Sequence, residues 1–105
     1  MNNAIHLAKT LQSAQLPPWQ ELPVARINNH LLILIEAKGE YPWHQHDDRD
    51  DGFLVLTGCL GVELPDGIVM VGTGELFVVP KGVRHRTFSD DGAQVLLIEQ
   101  RVGEL

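Results

Sequence analysis

Three histidines carry the strongest chemical signal in this chain. His44 and His46 stand two residues apart, and His85 lies far along the sequence after Pro80-Lys81-Gly82. In an extended strand, residues two apart face the same side, so the first two imidazoles can converge on one point. Only a folded sheet could bring His85 to them. Neutral imidazole is the commonest side-chain metal ligand. Three imidazoles with one carboxylate form a nitrogen and oxygen donor set. Such a set suits Fe, Mn, Ni, Cu, Zn or Co, with no sulfur to narrow the choice. With four protein ligands, an octahedral ion keeps two positions for water, substrate or oxygen, and open positions separate a reactive site from a closed structural one. Each signal alone is slight. A single His-x-His pair often faces solvent, an isolated His85 reads as a turn residue, and the acidic stretch Asp47–Asp51 reads as a solvated loop. His6 and His30 have no partner at a useful spacing and receive no role; His6 is expected on a helix surface and His30 at a strand start.

The elements that must position these groups are mostly strands. Residues 2–16 read as a helix, capped by Asn2 or Asn3, with Ile5, Ala8, Leu11 and Leu16 near one face. Pro17-Pro18 stops it. Strands follow at Pro23–Ile27 and His30–Ala37, joined by a turn at Asn28-Asn29, and Lys38-Gly39-Glu40 marks the next break. Phe53–Thr57, Leu60–Leu64 and Ile68–Val71 come next, with the hairpin signal Asp66-Gly67 between the last two. Glu75–Val79 ends at Pro80, Lys81-Gly82 turns, Arg86–Phe88 is short, Ser89–Gly92 reads as a polar turn, and Ala93–Gln100 is a strong final strand. The last residues are expected to fray. Eight or nine short strands at even spacing predict an all-β antiparallel sandwich or barrel with a short N-terminal helix. The expected division is a helical segment at 1–20 and a barrel domain at 21–105.

Bulk properties bound the function. A chain of 105 residues argues for one domain, with hydrophobic (44%) and charged (21%) content close to ordinary globular usage. A net charge of −6 argues against a general nucleic-acid binder, which needs a basic face. A single cysteine, Cys59, permits no intrachain disulfide and suits a reducing, cytoplasmic setting. The amino terminus lacks a signal-peptide pattern. No run of about 20 apolar residues exists, so no membrane span is expected.

Two stretches resemble the cupin superfamily. PWHQHDDRDDGFLVLTG is similar to its first motif: His-x-His, a carboxylate, an apolar strand, then Gly58. GELFVVPKGVRH is similar to the second, with Gly74, Pro80, Gly82 and His85 at the family's spacing. The 15 residues from Cys59 to Thr73 separate them. That spacer resembles the most compact cupins, within a small stand-alone group described as similar to mannose-6-phosphate isomerase. The motifs cover Gly39 to His85, and the resemblance extends more weakly from Val24 to Glu99.

This resemblance implies a double-stranded β-helix, the jelly-roll barrel, with His44, His46 and His85 as ligands of a divalent transition metal. Asp51 falls where the family usually has Glu, with six residues between it and Gly58. Asp is one methylene shorter, about 1.5 Å of reach, whereas metal–ligand distances tolerate about 0.2 Å. Either the strand moves in, or a water bridges, or the site uses three histidines. Gly52 is expected to permit a bulge that brings Asp51 closer. Asp50 is the alternative, turned to the other face by alternation. Gly39 is one residue closer to the pair than the family pattern, and Ser89 replaces the family's Asn. Trp43 and Phe53 line a pocket or join the core, while Tyr41, Arg84 and Arg86 flank the ligands in sequence. Arg86 can hold an anion through bidentate hydrogen bonds or simply face solvent. Cys59 is expected to be a buried, inert thiol, and Glu75 a turn residue. Two functions fit: a non-catalytic metal-binding module with a small-molecule ligand, or a dioxygenase or sugar or keto-acid isomerase binding adjacent oxygens in bidentate fashion. A homodimer is expected, with Pro23–Ile27 covering an exposed sheet edge.

Overall fold

The computed structural model describes residues 3–102. One helix, α1 (Leu7–Ala14), precedes six antiparallel strands: β1 (Leu22–Ile27), β2 (His30–His44), β3 (Asp51–Leu64), β4 (Gly67–Gly72), β5 (Leu76–Val79) and β6 (His85–Gln100). The hydrogen-bonded order is β1-β2-β6-β3-β4, with β5 paired to β3. Alternation fills the interior. Leu31, Ile33, Ile35 and Ala37 of β2 meet Phe53, Val55, Leu60 and Val62 of β3 and Ala93, Val95 and Leu97 of β6. On the opposite face, Leu34 and Leu96 pack against Leu11 of α1, so the helix covers the outside of the sheet. Among the described residues, no helix is long and apolar enough to cross a membrane.

The helix is shorter than its sequence pattern predicts. It begins at Leu7 with His6 as its N-cap, and His6 Nδ1 accepts the Lys9 N–H at 3.3 Å. Asn3 does not cap it, and Asn2 lies outside the described residues, as do the last three residues expected to fray. Imidazole can replace the usual Asn because it too offers an acceptor to an orphan N–H of the first turn.

Eight or nine short strands become six because three predicted breaks are bends inside long strands. At Lys38-Gly39-Glu40, strand β2 continues through a register shift, with Gly39 at φ +76°. Phe53–Thr57 and Leu60–Leu64 are two halves of β3, bent at Gly58 (φ +86°). Ser89–Gly92 is a bulge within β6, where Ser89 Oγ donates to the Cys59 carbonyl (2.7 Å) and accepts the Gly92 N–H (3.1 Å). The three bends coincide, since Ala37 pairs with Ala93, Gly58 pairs with Ala93, and Gly39 pairs with Ser89. Bulges re-aim a strand while keeping it in the sheet. This shared corner lets long strands wrap around a barrel. A Cβ on Gly58 would lie 2.4 Å from the Gly92 carbonyl oxygen, so only glycine fits there.

Gly52 makes no bulge. Residues Asp51 to Leu54 pair with β5 on one side and β6 on the other without a register shift. A Cβ at Gly52 would meet the Ile98 carbonyl oxygen at 3.4 Å, an ordinary contact. Cys59, expected inside, is exposed at the corner. The local cause is that the shift between Gly58 and Gly61 interrupts the inward alternation of β3.

Candidate metal centre

The corner determines what β6 can deliver. Fourteen strand steps separate His85 from Glu99, about 46 Å if straight, which matches the molecule's longest dimension of 45 Å. Yet both residues reach Asp51, because β6 folds back across the barrel at its bulge. His44, the last residue of β2, pairs across the sheet with His85, the first of β6. Their ring centroids are 4.3 Å apart. Asp51, the first residue of β3, pairs with Glu99 near the end of β6.

His46 lies beyond the end of β2, in a segment pinned from both sides. Its carbonyl accepts the Gly82 N–H at 2.7 Å, and Asp50 Oδ1 accepts the Lys81 N–H at 2.8 Å. Asp50 is therefore spent on the turn after β5 and does not compete with Asp51. The His46 ring sits 5.2 Å from His44 and 6.3 Å from His85, centroid to centroid. The three histidines read from the sequence thus all lie near Asp51, in two donor groups that share it.

Hydrogen bonding orients the rings. Nδ1 of His44 bonds the Pro42 carbonyl and Nδ1 of His85 the Val83 carbonyl, each at 2.9 Å. A carbonyl can only accept, so each Nδ1 carries a proton and, in the neutral ring, each Nε2 keeps its lone pair; protonated at both nitrogens, His85 instead donates from Nε2 to Asp51. Metal-binding histidines are commonly held by such outer hydrogen bonds. Nε2 of His85 and Nε2 of His46 both lie 3.2 Å from Asp51 Oδ2. Asp51 and His85 are 2% and 1% exposed.

A second carboxylate faces the same point. Glu99 is 1% exposed, and its Oε2 lies 3.8 Å from His46 Nε2. Two donor groups result, each with ligand atoms within 4.8 Å of one another: His44, Asp51 and His85, and His46, Asp51 and Glu99. Asp51 belongs to both. Arg101 holds Glu99 from behind, with Nη2 and Nε at 2.5 and 2.7 Å from Oε1. Arg101 also grips Glu21 with two parallel bonds of 2.9 and 2.8 Å. Arg49 Nε approaches Glu99 Oε1 at 3.4 Å.

Burial, then the neighbouring Asp51 carboxylate, pushes the Glu99 carboxyl up to about 8 against the pull of Arg101. Burial also works to raise Asp51, but hydrogen bonds from His85 and Glu99 and the nearby imidazoles outweigh it and hold Asp51 low. The pair therefore shares one proton near neutrality. Asp51 Oδ1 is buried and has no hydrogen-bond partner among the described residues. Burial and the adjacent Arg49 lower His46, against the attraction of Asp51. His85 is raised: its burial is outweighed by Asp51 and the Val83 carbonyl. Three imidazoles, two buried carboxylates and an orphaned oxygen fit a divalent transition ion well.

A cavity of about 90 Å³ opens beside these groups, lined in part by Trp19, Glu21, Tyr41, Phe53 and Arg101. Tyr41 packs edge-on to His44 at 5.2 Å, and Trp19 leans on Tyr41. Tyr41 and Phe53 both line the cavity. Trp43 and Arg86 do not line the cavity. Arg84 stacks over Trp43 at 5.0 Å, and Arg86 bonds Glu63 and Glu40 at 2.6 Å each. Glu99, Arg101, Glu21 and Trp19 were not anticipated. Glu99 had a readable signal: in β6 the interior residues Ala93, Val95 and Leu97 alternate, and Glu99 continues that inward parity. A carboxylate at a core position calls for a partner.

Comparison with known proteins agrees with this fold. The chain is 33% identical to "Uncharacterized protein YdbB" of Bacillus subtilis (strain 168) over 82 residues, 77% of this chain and 73% of that one. A cupin-2 domain containing protein from Shewanella frigidimarina NCIMB 400 superposes with a TM-score of 0.88 at 30% identity, covering 92% of this chain and 94% of that one. Protein NMB1881 from Neisseria meningitidis gives 0.83 at 31% identity, covering 93% and 99%. Residues 31–99 match the family model Cupin_2, described as a cupin domain, a span that runs from the first interior leucine of β2 to Glu99; this chain belongs to the cupin family.

Proposed function

We propose that this chain is a small cupin that binds one divalent transition metal through His44, His46, Asp51 and His85 and takes a small molecule in the adjoining cavity. One observation supports it most. Two buried or half-buried imidazoles are locked by backbone carbonyls with their free nitrogens toward a carboxylate that lacks a donor for Oδ1. A bound ion would act there as a Lewis acid that polarises an oxygen of the ligand. Around it the chain supplies an apolar wall from Phe53 and Trp19, a hydroxyl from Tyr41, and the Glu21–Arg101 pair at the rim. Small-molecule pockets commonly measure about 300–1,000 Å³, so a cavity of about 90 Å³ selects a ligand of few heavy atoms.

The enzymatic form of this reading is a metal-dependent dioxygenase or a sugar or keto-acid isomerase, and the placement of Tyr41 against His44 favours it. The compact spacer between the motifs supports membership of the group similar to mannose-6-phosphate isomerase. A homodimer built through β1 completes the reading.

The test is reconstitution. Chelator-stripped protein is titrated with Fe, Mn, Co, Ni, Cu and Zn, and affinity is measured by calorimetry. The parent is expected to bind one equivalent, and the His44→Ala/His46→Ala/His85→Ala variant none. Equal affinity in the two would overturn the proposal. Oxygen uptake by the iron form with small diols or keto acids distinguishes the enzymatic form.

A further inference from the structure

Glu99 stands outside both sequence motifs, yet the fold sets it opposite Asp51 and toward His46. We propose that Glu99 is a fifth ligand, so that the centre comprises three imidazoles and two carboxylates. This inference rests on the metal-binding reading above. Asp51 and Glu99 are direct cross-strand partners and both are buried. One oxygen of Glu99 is taken by Arg101, and the other points toward His46 at 3.8 Å. That division is what a supported ligand requires: one oxygen fixed from outside, the other left for the ion.

The competing structural role is weaker. Arg101 needs no buried carboxylate, because Glu21 already grips it with two bonds. Both arginines, Arg101 and Arg49, approach Glu99 at Oε1, and Oε2 is left on the side of His46. Glu99 also compensates for the short side chain at position 51. The carboxylate that lost a methylene on β3 is joined by a longer one from β6.

Ligand count then limits chemistry. Five protein donors leave an octahedral ion one open position instead of two. The bound molecule would attach through a single donor atom, such as one carboxylate oxygen or one hydroxyl. Bidentate capture of adjacent oxygens would require a protein ligand to leave.

Co²⁺ titration of the chelator-stripped, full-length protein tests this, followed by calorimetry and visible absorption. Glu99→Gln should weaken Co²⁺ binding at least about 100-fold and alter the d–d bands, whereas Arg101→Lys, a positioning change, should cost about 10–100-fold. A Glu99→Gln protein with the parent's affinity and bands, beside a His85→Ala protein that loses the ion, would refute Glu99 as ligand and leave the metal reading intact. A parent that binds no Co²⁺ would refute both. Circular dichroism in chelator checks folding. Should Glu99→Gln fail to fold, Glu99→Asp replaces it: weakened binding with shifted bands supports the proposal, and unchanged bands refute it.

Discussion

Arg101 answers two carboxylates of unequal standing: Glu99 inside the barrel and Glu21 at the rim, 42% exposed. The hydrogen bond and charge of Arg101 hold Glu21 below the usual carboxylate range, against a smaller effect of burial. A carboxyl depressed in the folded state stabilises above its unfolded pKa, and that contribution fades as pH falls through the folded value. Glu21→Gln should therefore lower stability at neutral pH by at most about 1 kcal/mol, given the screening of a half-exposed pair. The difference from the parent should vanish in strong acid. Urea unfolding at a series of pH values reads this out, and a pH-independent difference would contradict it. At this scale the sequence was informative where motifs have fixed spacing: they singled out His44, His46, Asp51 and His85, which the structure brings near one another. Glu99 and Arg101 could not be read that way, because their role depends on which end of β6 returns to Asp51.

Bends distinguish the elements from their sequence pattern. Glycine and polar clusters predicted turns at Lys38–Glu40 and Ser89–Gly92, but the same residues serve bulges when hydrogen-bonded neighbours bend in step. Local composition cannot separate these outcomes, since both need positive φ and both interrupt alternation. Gly58→Ala tests how tight the corner is. Its methyl would overlap the Gly92 carbonyl and sit 2.9 Å from Ala93 Cα, in a backbone region strained for alanine. A loss of about 2–4 kcal/mol is expected, read from the chemical-denaturation midpoint. The helix offers a contrast. Leu11→Ala should cost about 2–5 kcal/mol by emptying the contact with Leu34 and Leu96. Because α1 lies on the outer face, metal affinity of the folded variant should match the parent. A parallel loss of affinity would mean that the helix shapes the interior.

Across the whole molecule, class and sheet direction were legible because alternation and turn residues recur throughout the chain. Wrapping was not, because it depends on bulges that align across three strands. One edge of the sheet is β1, with Ile27 59% exposed at its end. An open edge invites a second strand. Light scattering should show a dimer mass, and Arg26→Pro, which removes a backbone donor from β1, should shift the mass toward monomer. A parent of monomer mass would exclude pairing of this kind.

The folded-back course of β6 would make a bound ion a clasp. Gripping His85 and Glu99 together would fasten the two ends of one strand, with the aligned bulges acting as the pin on which it closes. Loading the clasp should therefore quiet the pin. Amide hydrogen exchange at Gly58–Gly61 and Ser89–Ala93 should slow when metal binds, although none of those residues holds the ion. Exchange there that ignores the metal would show two arms sprung independently.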